Sequence, residues 1–173
     1  ADTRFFIVGP EDDLQAEMQR FIDLHQKSTP EKDAFMDPQM QGFFFEAAQQ
    51  LQDQGWLQLA FVQINGEPAA SLLNFDYGDD ILVYNSGFDP IKFRHLSPGI
   101  VVTARSIEHA ISLGRDKFDF LRGDEVYKYR LGAQDTEVRR LLVALDDGQV
   151  APVAEGFEGL GEEGGLPRAG AGD

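Results

Sequence analysis

Residues 57–86 constrain the fold more than any other stretch of the chain. Leu57, Leu59 and Phe61 alternate with Gln58, Ala60 and Val62, as a half-buried strand requires. Asn65-Gly66 follows, a pair suited to the positive backbone angles of a two-residue hairpin. A second extended run from Pro68 to Tyr77 reaches Gly78-Asp79-Asp80, another turn, and Ile81 to Ser86 read as a third strand. Three consecutive strands joined by tight turns can only be an antiparallel meander, so a purely helical fold is excluded.

The flanks of the meander are helical. Arg4 to Val8 read as a strand ending at Gly9-Pro10, with Pro10 expected at the first position of a helix and Glu11, Asp12 and Asp13 favouring its positive end. Leu14, Met18, Phe21, Ile22 and His25 recur at helical spacing, which puts His25 at the end of a buried stripe. Thr29-Pro30 and Asp37-Pro38 are two further helix starts. The longest helix is expected after Asp37, with Met40, Phe43, Phe44, Ala47, Ala48 and Leu51 on one face, Gly55 at its end and Trp56 in the core.

Beyond the meander, the loop from Phe88 to Leu96 carries Lys92, Arg94 and His95 to Ser97-Pro98-Gly99, where a hydroxyl cap and a proline open another helix. Ile100, Ala104, Ile107 and Ile111 are its expected buried face, and Gly114 its end. Lys117 to Leu121 read as a strand, Glu125 to Leu131 as a helical turn, and Thr136 to Leu145 as a strand with a last short one after Asp147-Gly148. From residue 155 the chain is rich in Gly and Glu, so the expected organisation is one domain over 1–154 and a flexible tail over 155–173.

Charge and composition narrow the chemistry. The net charge of −15 argues against binding DNA through an overall basic field, because neutralising phosphates takes Lys and Arg. Screening still permits a local basic pocket. There is no Cys, hence no thiolate nucleophile or thiolate metal site. His25, His95 and His109 have no spacing that would place two imidazoles on one metal, so no metal is expected. No run approaches the ~18 apolar residues of a membrane span and none has the form of a signal peptide, which makes membrane insertion unexpected and a cytoplasmic location the simple reading.

The strings LHQKS (24 to 28), GWLQLAFVQINGEPAA (55 to 70), YNSGFDP (84 to 90), SPG (97 to 99) and FDFLRGDEVYKYRLG (118 to 132) resemble the CelD-type branch of the GNAT acyltransferase superfamily, which is related to the Fem aminoacyltransferases. The resemblance implies an α/β fold of the acyl-CoA N-acyltransferase type, with a central mixed, largely antiparallel sheet flanked by helices. It implies acetyl-CoA or another acyl-CoA as co-substrate, without a metal, and an amine acceptor on a sugar, peptide or small metabolite. Members of this branch commonly have two such halves, and this chain resembles the C-terminal one, so a second GNAT-like lobe or a homodimer is an expected partner. Two alternatives stay open at this point: an aminoacyl-tRNA donor as in the Fem proteins, and a non-catalytic half serving assembly or ligand sensing. The superfamily's glycine-spaced pyrophosphate loop is replaced by Arg94-His95-Leu96-Ser97-Pro98-Gly99.

The candidate donor site is the start of the helix at Ser97. Backbone N–H groups around Gly99, Ile100 and Val101 would present donors and a positive dipole end to an anion, and Arg94 and His95 would add charge-assisted bonds. The plainer alternative makes Ser97 a cap, Gly99 a packing residue and Arg94 and His95 a solvated loop. The resemblance places Lys128, beside Tyr127, in the active cleft against a phosphate or the acyl donor; otherwise Lys128 is an exposed lysine beside buried tyrosines. Asp119 would either orient the acceptor amine or close a turn, and Glu125 is either part of a helix start or a general base.

Overall fold

A computed structural model describes residues 2–137. The chain divides into two compact units, Ala1–Leu121 and Arg122–Asp173.

The first unit is built on a five-stranded sheet in the order β1-β2-β3-β4-β5. Its strands are β1 (Thr3–Ile7), β2 (Leu57–Ile64), β3 (Glu67–Tyr77), β4 (Asp80–Phe88) and β5 (Lys117–Asp119). β1 to β4 pair antiparallel and β5 lies parallel to β4. The meander stands as expected. Asn65 and Gly66 both take positive φ, 52° and 82°, as the hairpin turn demands. The helices are α1 (Leu14–Ser28), α2 (Pro30–Phe35), α3 (Pro38–Asp53) and α4 (Pro98–Ser112).

Two apolar layers hold the helices to the sheet. On one face Leu59, Phe61 and Leu73 meet Met18, Phe21 and Ile22 of α1 and Phe44 and Ala48 of α3. On the other, Ala60, Val62 and Leu72 meet Val102 of α4. Because both faces are covered, β2 and β3 are buried almost continuously instead of alternating with solvent. Each fully buried Phe or Leu in these layers contributes roughly 1.5–3 kcal/mol relative to exposure.

Local capping explains most helix starts. The Thr29 hydroxyl accepts the Lys32 N–H at 3.3 Å, and Asp37 Oδ1 accepts that of Met40 at 2.8 Å. α1 differs from expectation: it begins at Leu14, capped by Asp13 Oδ1 on the Ala16 N–H at 3.1 Å. Pro10 lies instead in a turn, where Asp12 Oδ2 accepts the Gly9 N–H at 2.8 Å. This competing side-chain bond removes Gly9 to Asp12 from the helix.

Other expectations are corrected. Trp56 is 40% exposed, in edge-to-face contact with exposed Tyr77, and Phe43 is 55% exposed while Phe44 carries the buried contact of α3. α4 turns Val102, Thr103, Ser106 and Ala110 inward; Ile111 is 71% exposed, and Ile100 and Ala104 are also exposed. The surface beneath α4 includes Ala60, Ala69 and Ala70, and small side chains let the helix approach it closely. The Thr103 hydroxyl is satisfied within the helix by the Gly99 carbonyl at 2.8 Å. β5 ends at Asp119 rather than Leu121.

Of the second unit, residues up to Glu137 are described. They contain one short helix, α5 (Val126–Arg130), where a helical turn was expected. The strand expected over 136–145, the short strand after it and the tail over 155–173 lie outside the described residues, residues 136 and 137 excepted; those two are not in a strand.

Candidate active site

β4 and β5 share register only where Asp80, Ile81 and Leu82 face Lys117, Phe118 and Asp119. β4 then continues to Phe88 with no strand on that side among the described residues. At the point of parting the β3–β4 register slips: Leu73 faces Asn85 and Asn74 faces Val83. Tyr84 is therefore one residue too many, a β-bulge, and its backbone is released from the regular ladder.

The residues after the bulge are held by α1 and α2. His25 is 1% exposed, and its Nε2 lies 3.0 Å from Asn85 Oδ1. Asn85 Oδ1 also accepts the Ser86 N–H at 2.9 Å, which assigns the oxygen as acceptor and the proton to His25 Nε2. Burial, and next the charge of Lys32, lower the His25 pKa to about 4 against the opposing bond to Asn85, so the imidazole is neutral at pH 7. Lys32 Nζ donates to the Ser86 carbonyl at 2.6 Å and to the Ser86 hydroxyl at 3.2 Å. Ser28 Oγ accepts the Phe88 N–H at 2.9 Å. Between them Gly87 has no room for a side chain: a Cβ there would lie 2.4 Å from the His25 backbone nitrogen.

At the end of β4, Asp89 Oδ1 folds the loop by accepting the N–H groups of Ile91 at 3.0 Å and Lys92 at 2.8 Å. A single 3-10 turn, Arg94–Leu96, then leads to α4. Arg94 and His95 are exposed and form no ion pair among the described residues. Ser97 occupies the cap position in a left-handed conformation, φ 47° and ψ 51°, and makes no side-chain cap. That conformation, not the expected hydroxyl bond, turns the chain into the helix. The Ile100 and Val101 N–H groups donate to the Ser97 carbonyl at 3.0 and 3.2 Å. Of the three amides expected to face an anion, only that of Gly99 has no acceptor among the described residues. Packing does not demand the glycine, since a Cβ there would meet only Phe88, at 4.0 Å.

Asp119 closes a turn: Oδ1 accepts the Leu121 N–H at 2.7 Å and Oδ2 pairs with Lys117 Nζ at 2.7 Å. Phe118 and Phe120 meet edge to face at 5.3 Å.

In the second unit Lys128 is 5% exposed, which overturns its reading as a solvated lysine. Its ammonium donates to the carbonyls of Arg122 at 2.6 Å and Gly123 at 3.2 Å, and pairs with Glu125 Oε2 at 2.8 Å. Burial raises the Tyr127 pKa, and the charge of Glu125 adds to it, so the phenol stays protonated. Tyr129 donates to Asp135 at 2.9 Å, a bond that raises its own pKa. Lys128, Glu125 and Tyr127 thus share α5 and its approach, whereas Arg94, His95, Ser97, Gly99, Ile100 and Val101 share the start of α4. Sequence reasoning missed the Tyr84 bulge and the contacts of His25, Ser28 and Lys32 with β4. Among the described residues no cluster of His, Asp and Glu is arranged to hold a metal, and no helix is long and apolar enough to cross a membrane.

A family model described as an acetyltransferase (GNAT) domain matches residues 3–129. Solved structures share the fold. The ribosomal-protein-S18-alanine N-acetyltransferase from Escherichia coli aligns with a TM-score of 0.61 at 14% identity, over 80% of this chain and 82% of that one. The aminoglycoside acetyltransferase meta-AAC0020 from an uncultured soil metagenomic sample, solved with sisomicin, aligns at 0.54 and 15%, over 82% and 96%. The PaiA N-acetyltransferase from Thermoplasma acidophilum, solved with coenzyme A, aligns at 0.50 and 6%, over 66% and 76%. A search of curated proteins found no match. At such identities the structural likenesses speak for the fold alone.

Proposed function

Since the chain belongs to the GNAT acetyltransferase domain family, we propose that it transfers an acetyl group from acetyl-CoA to a primary amine of a sugar, a peptide or a small metabolite. The observation that carries this reading is the bulge at Tyr84, the one residue of β4 skipped by the β3 ladder, just past the point where the pairing with β5 ends. A backbone N–H freed there is a fixed donor for a thioester carbonyl oxygen. Attack by a neutral amine on the carbonyl carbon turns that oxygen into an oxyanion. Collapse re-forms the carbonyl, breaks the C–S bond and expels the thiolate, while the amine proton passes to a base or to water. A preorganised donor at the developing charge is worth roughly 2.7–4 kcal/mol in such reactions.

The start of α4 supports a place for the donor's phosphates. The Gly99 N–H and the helix dipole point the same way, and Arg94 and His95, in the 3-10 turn just before the helix, form no ion pair among the described residues. Within the second unit, Lys128 holds the turn over 122–125, Glu125 is proposed as a general base, and Tyr127 supplies a protonated phenol. Asp119 is assigned a positioning role, because its carboxylate is already committed to the turn. The strings SPG and FDFLRGDEVYKYRLG support placement in the CelD-type branch. The net charge of −15 weighs against a tRNA-borne donor.

The test is free-thiol release from acetyl-CoA with three acceptors: glucosamine, sisomicin and a peptide with an N-terminal alanine. In parallel, CoA at 100 times its dissociation constant should add about 2.7 kcal/mol of stability, raising Tm by roughly 5–10 °C. No thiol release together with no shift by CoA refutes the proposal. Native mass spectrometry of the same samples reports donor stoichiometry and whether a second copy is joined.

A further inference from the structure

We infer that His25 is a positioning residue for acyl transfer: through Asn85 it fixes the β4 backbone at the Tyr84 bulge. This deepens the function proposed above and rests on its reading of the bulge amide as the carbonyl-oxygen donor.

A bulge is soft where the reaction needs it stiff. Tyr84 has no partner in register on β3, and β5 has already ended opposite Leu82. The ladder therefore fixes the backbone on either side of Tyr84 but not at it. The restraint comes from outside the sheet. Asn85 is held by His25, Ser86 by Lys32, Gly87 by direct contact with the α1 backbone at Leu24 and His25, and Phe88 by Ser28. His25 grips the side chain of the residue adjacent to the bulge, and through Asn85 Oδ1 it holds the Asn85–Ser86 peptide that flanks Tyr84.

The choice of side chain argues against a purely structural role. His25 sits between Phe21 and Phe35, with ring centroids 5.9 Å away on each side. A phenylalanine would fill that space without the desolvation that a buried imidazole suffers. What the imidazole adds is one N–H aimed at one oxygen, 3.0 Å away. Asn85 transmits the constraint to the main chain because the same oxygen accepts the Ser86 N–H. His25 does not touch the reacting atoms on this account, and as a neutral donor it is not a proton carrier.

Two variants separate position from stability. His25→Gln keeps an N–H near the place of Nε2, while His25→Phe fills the volume and removes the donor. With acetyl-CoA and the most reactive of the three acceptors, His25→Phe should lower kcat about 10- to 100-fold with KM for acetyl-CoA within roughly 2-fold, the loss expected of a slightly misplaced group. His25→Gln should keep kcat within about 5-fold, although its Tm is the lower of the two. Rates that follow Tm, with His25→Phe as active as His25→Gln, overturn the inference. A readout independent of turnover comes from the amide NMR signals of Tyr84, Asn85 and Ser86. They should move or broaden in His25→Phe and stay in place in His25→Gln; unchanged signals in His25→Phe overturn the inference. If the wild type neither binds CoA nor releases thiol, it is the proposed function that falls, and the amide signals alone decide the role of His25. Should His25→Phe not fold, Asn85→Ala removes the same bond from the strand side and is judged by the same criteria.

Discussion

Substituting Gly87 by alanine tests the join between α1 and β4 most directly. The φ of Gly87 is not positive, so an alanine can adopt this backbone, and the penalty is steric. The added methyl would lie 2.4 Å from the His25 nitrogen, 2.6 Å from the Leu24 carbonyl carbon and 2.9 Å from His25 Cα. All three are backbone atoms, which no rotamer change can remove. Restoring ordinary contact at about 3.4 Å requires the helix to retreat by roughly 1 Å. That stretches the Ser28 bond to the Phe88 N–H, now 2.9 Å, and the His25 bond to Asn85, now 3.0 Å, beyond hydrogen-bonding distance. Overpacking contributes about 1–3 kcal/mol and the two weakened bonds about 0.5–1.5 kcal/mol each, for a total of about 2–6 kcal/mol. For a chain of this size Tm should fall by roughly 4–24 °C. Thermal unfolding followed by circular dichroism measures it. A soluble, folded variant whose Tm falls by less than about 2 °C would refute the contact geometry and, with it, the idea that α1 rests on the β4 backbone.

Gly42, inside α3, is the opposite case: a Cβ there meets nothing within 4 Å, so Gly42→Ala should raise stability by about 0.5–1 kcal/mol in the same assay. Asp37→Ala removes the α3 cap and should cost about 1 kcal/mol, read as a lower urea midpoint at unchanged m. His25 titrates near 6.5 when unfolded and at about 4 when folded, so between those values the unfolded chain binds the extra proton. Its contribution is complete above pH 6.5 and is lost as pH falls, by about 2–3 kcal/mol at pH 4; urea midpoints across pH 7 to 4 should show this slope, and His25→Gln should flatten it. Arg94→Ala should weaken CoA binding several-fold in calorimetry while Tm without ligand stays within about 1 °C, since the side chain is exposed and forms no ion pair among the described residues.

The parts of the fold written in neighbouring residues were legible. Asn65-Gly66 encodes its own turn, and Thr29-Pro30 and Asp37-Pro38 their own helix starts, because each acts through bonds within four residues. The bulge was not legible, since it exists only in the register between β3 and β4. Nor was the pairing of His25 with Asn85, sixty positions apart, although both strings that hold them stood out. Apolarity misled for α4, where Ile100 and Ile111 are exposed while Thr103 and Ser106 are buried. The start of α4 was legible in Ser97-Pro98, but its local bonding was not. Ser97 does not cap, and two of the three expected amides are already bonded to its carbonyl.

The contacts that α1 and α2 make with β4 bear on solubility as well as on catalysis. Past Leu82 no strand among the described residues pairs with the outer side of β4, and an unpaired margin can template pairing with a strand of another molecule. Here the outward groups of Ser86 and Phe88 are occupied by Lys32 and Ser28, one of them a charged side chain lying along the strand. The same few residues would oppose strand pairing with another molecule along this stretch. Loss of Lys32 and Ser28 together should appear as concentration-dependent aggregation, visible by light scattering, before it appears as unfolding.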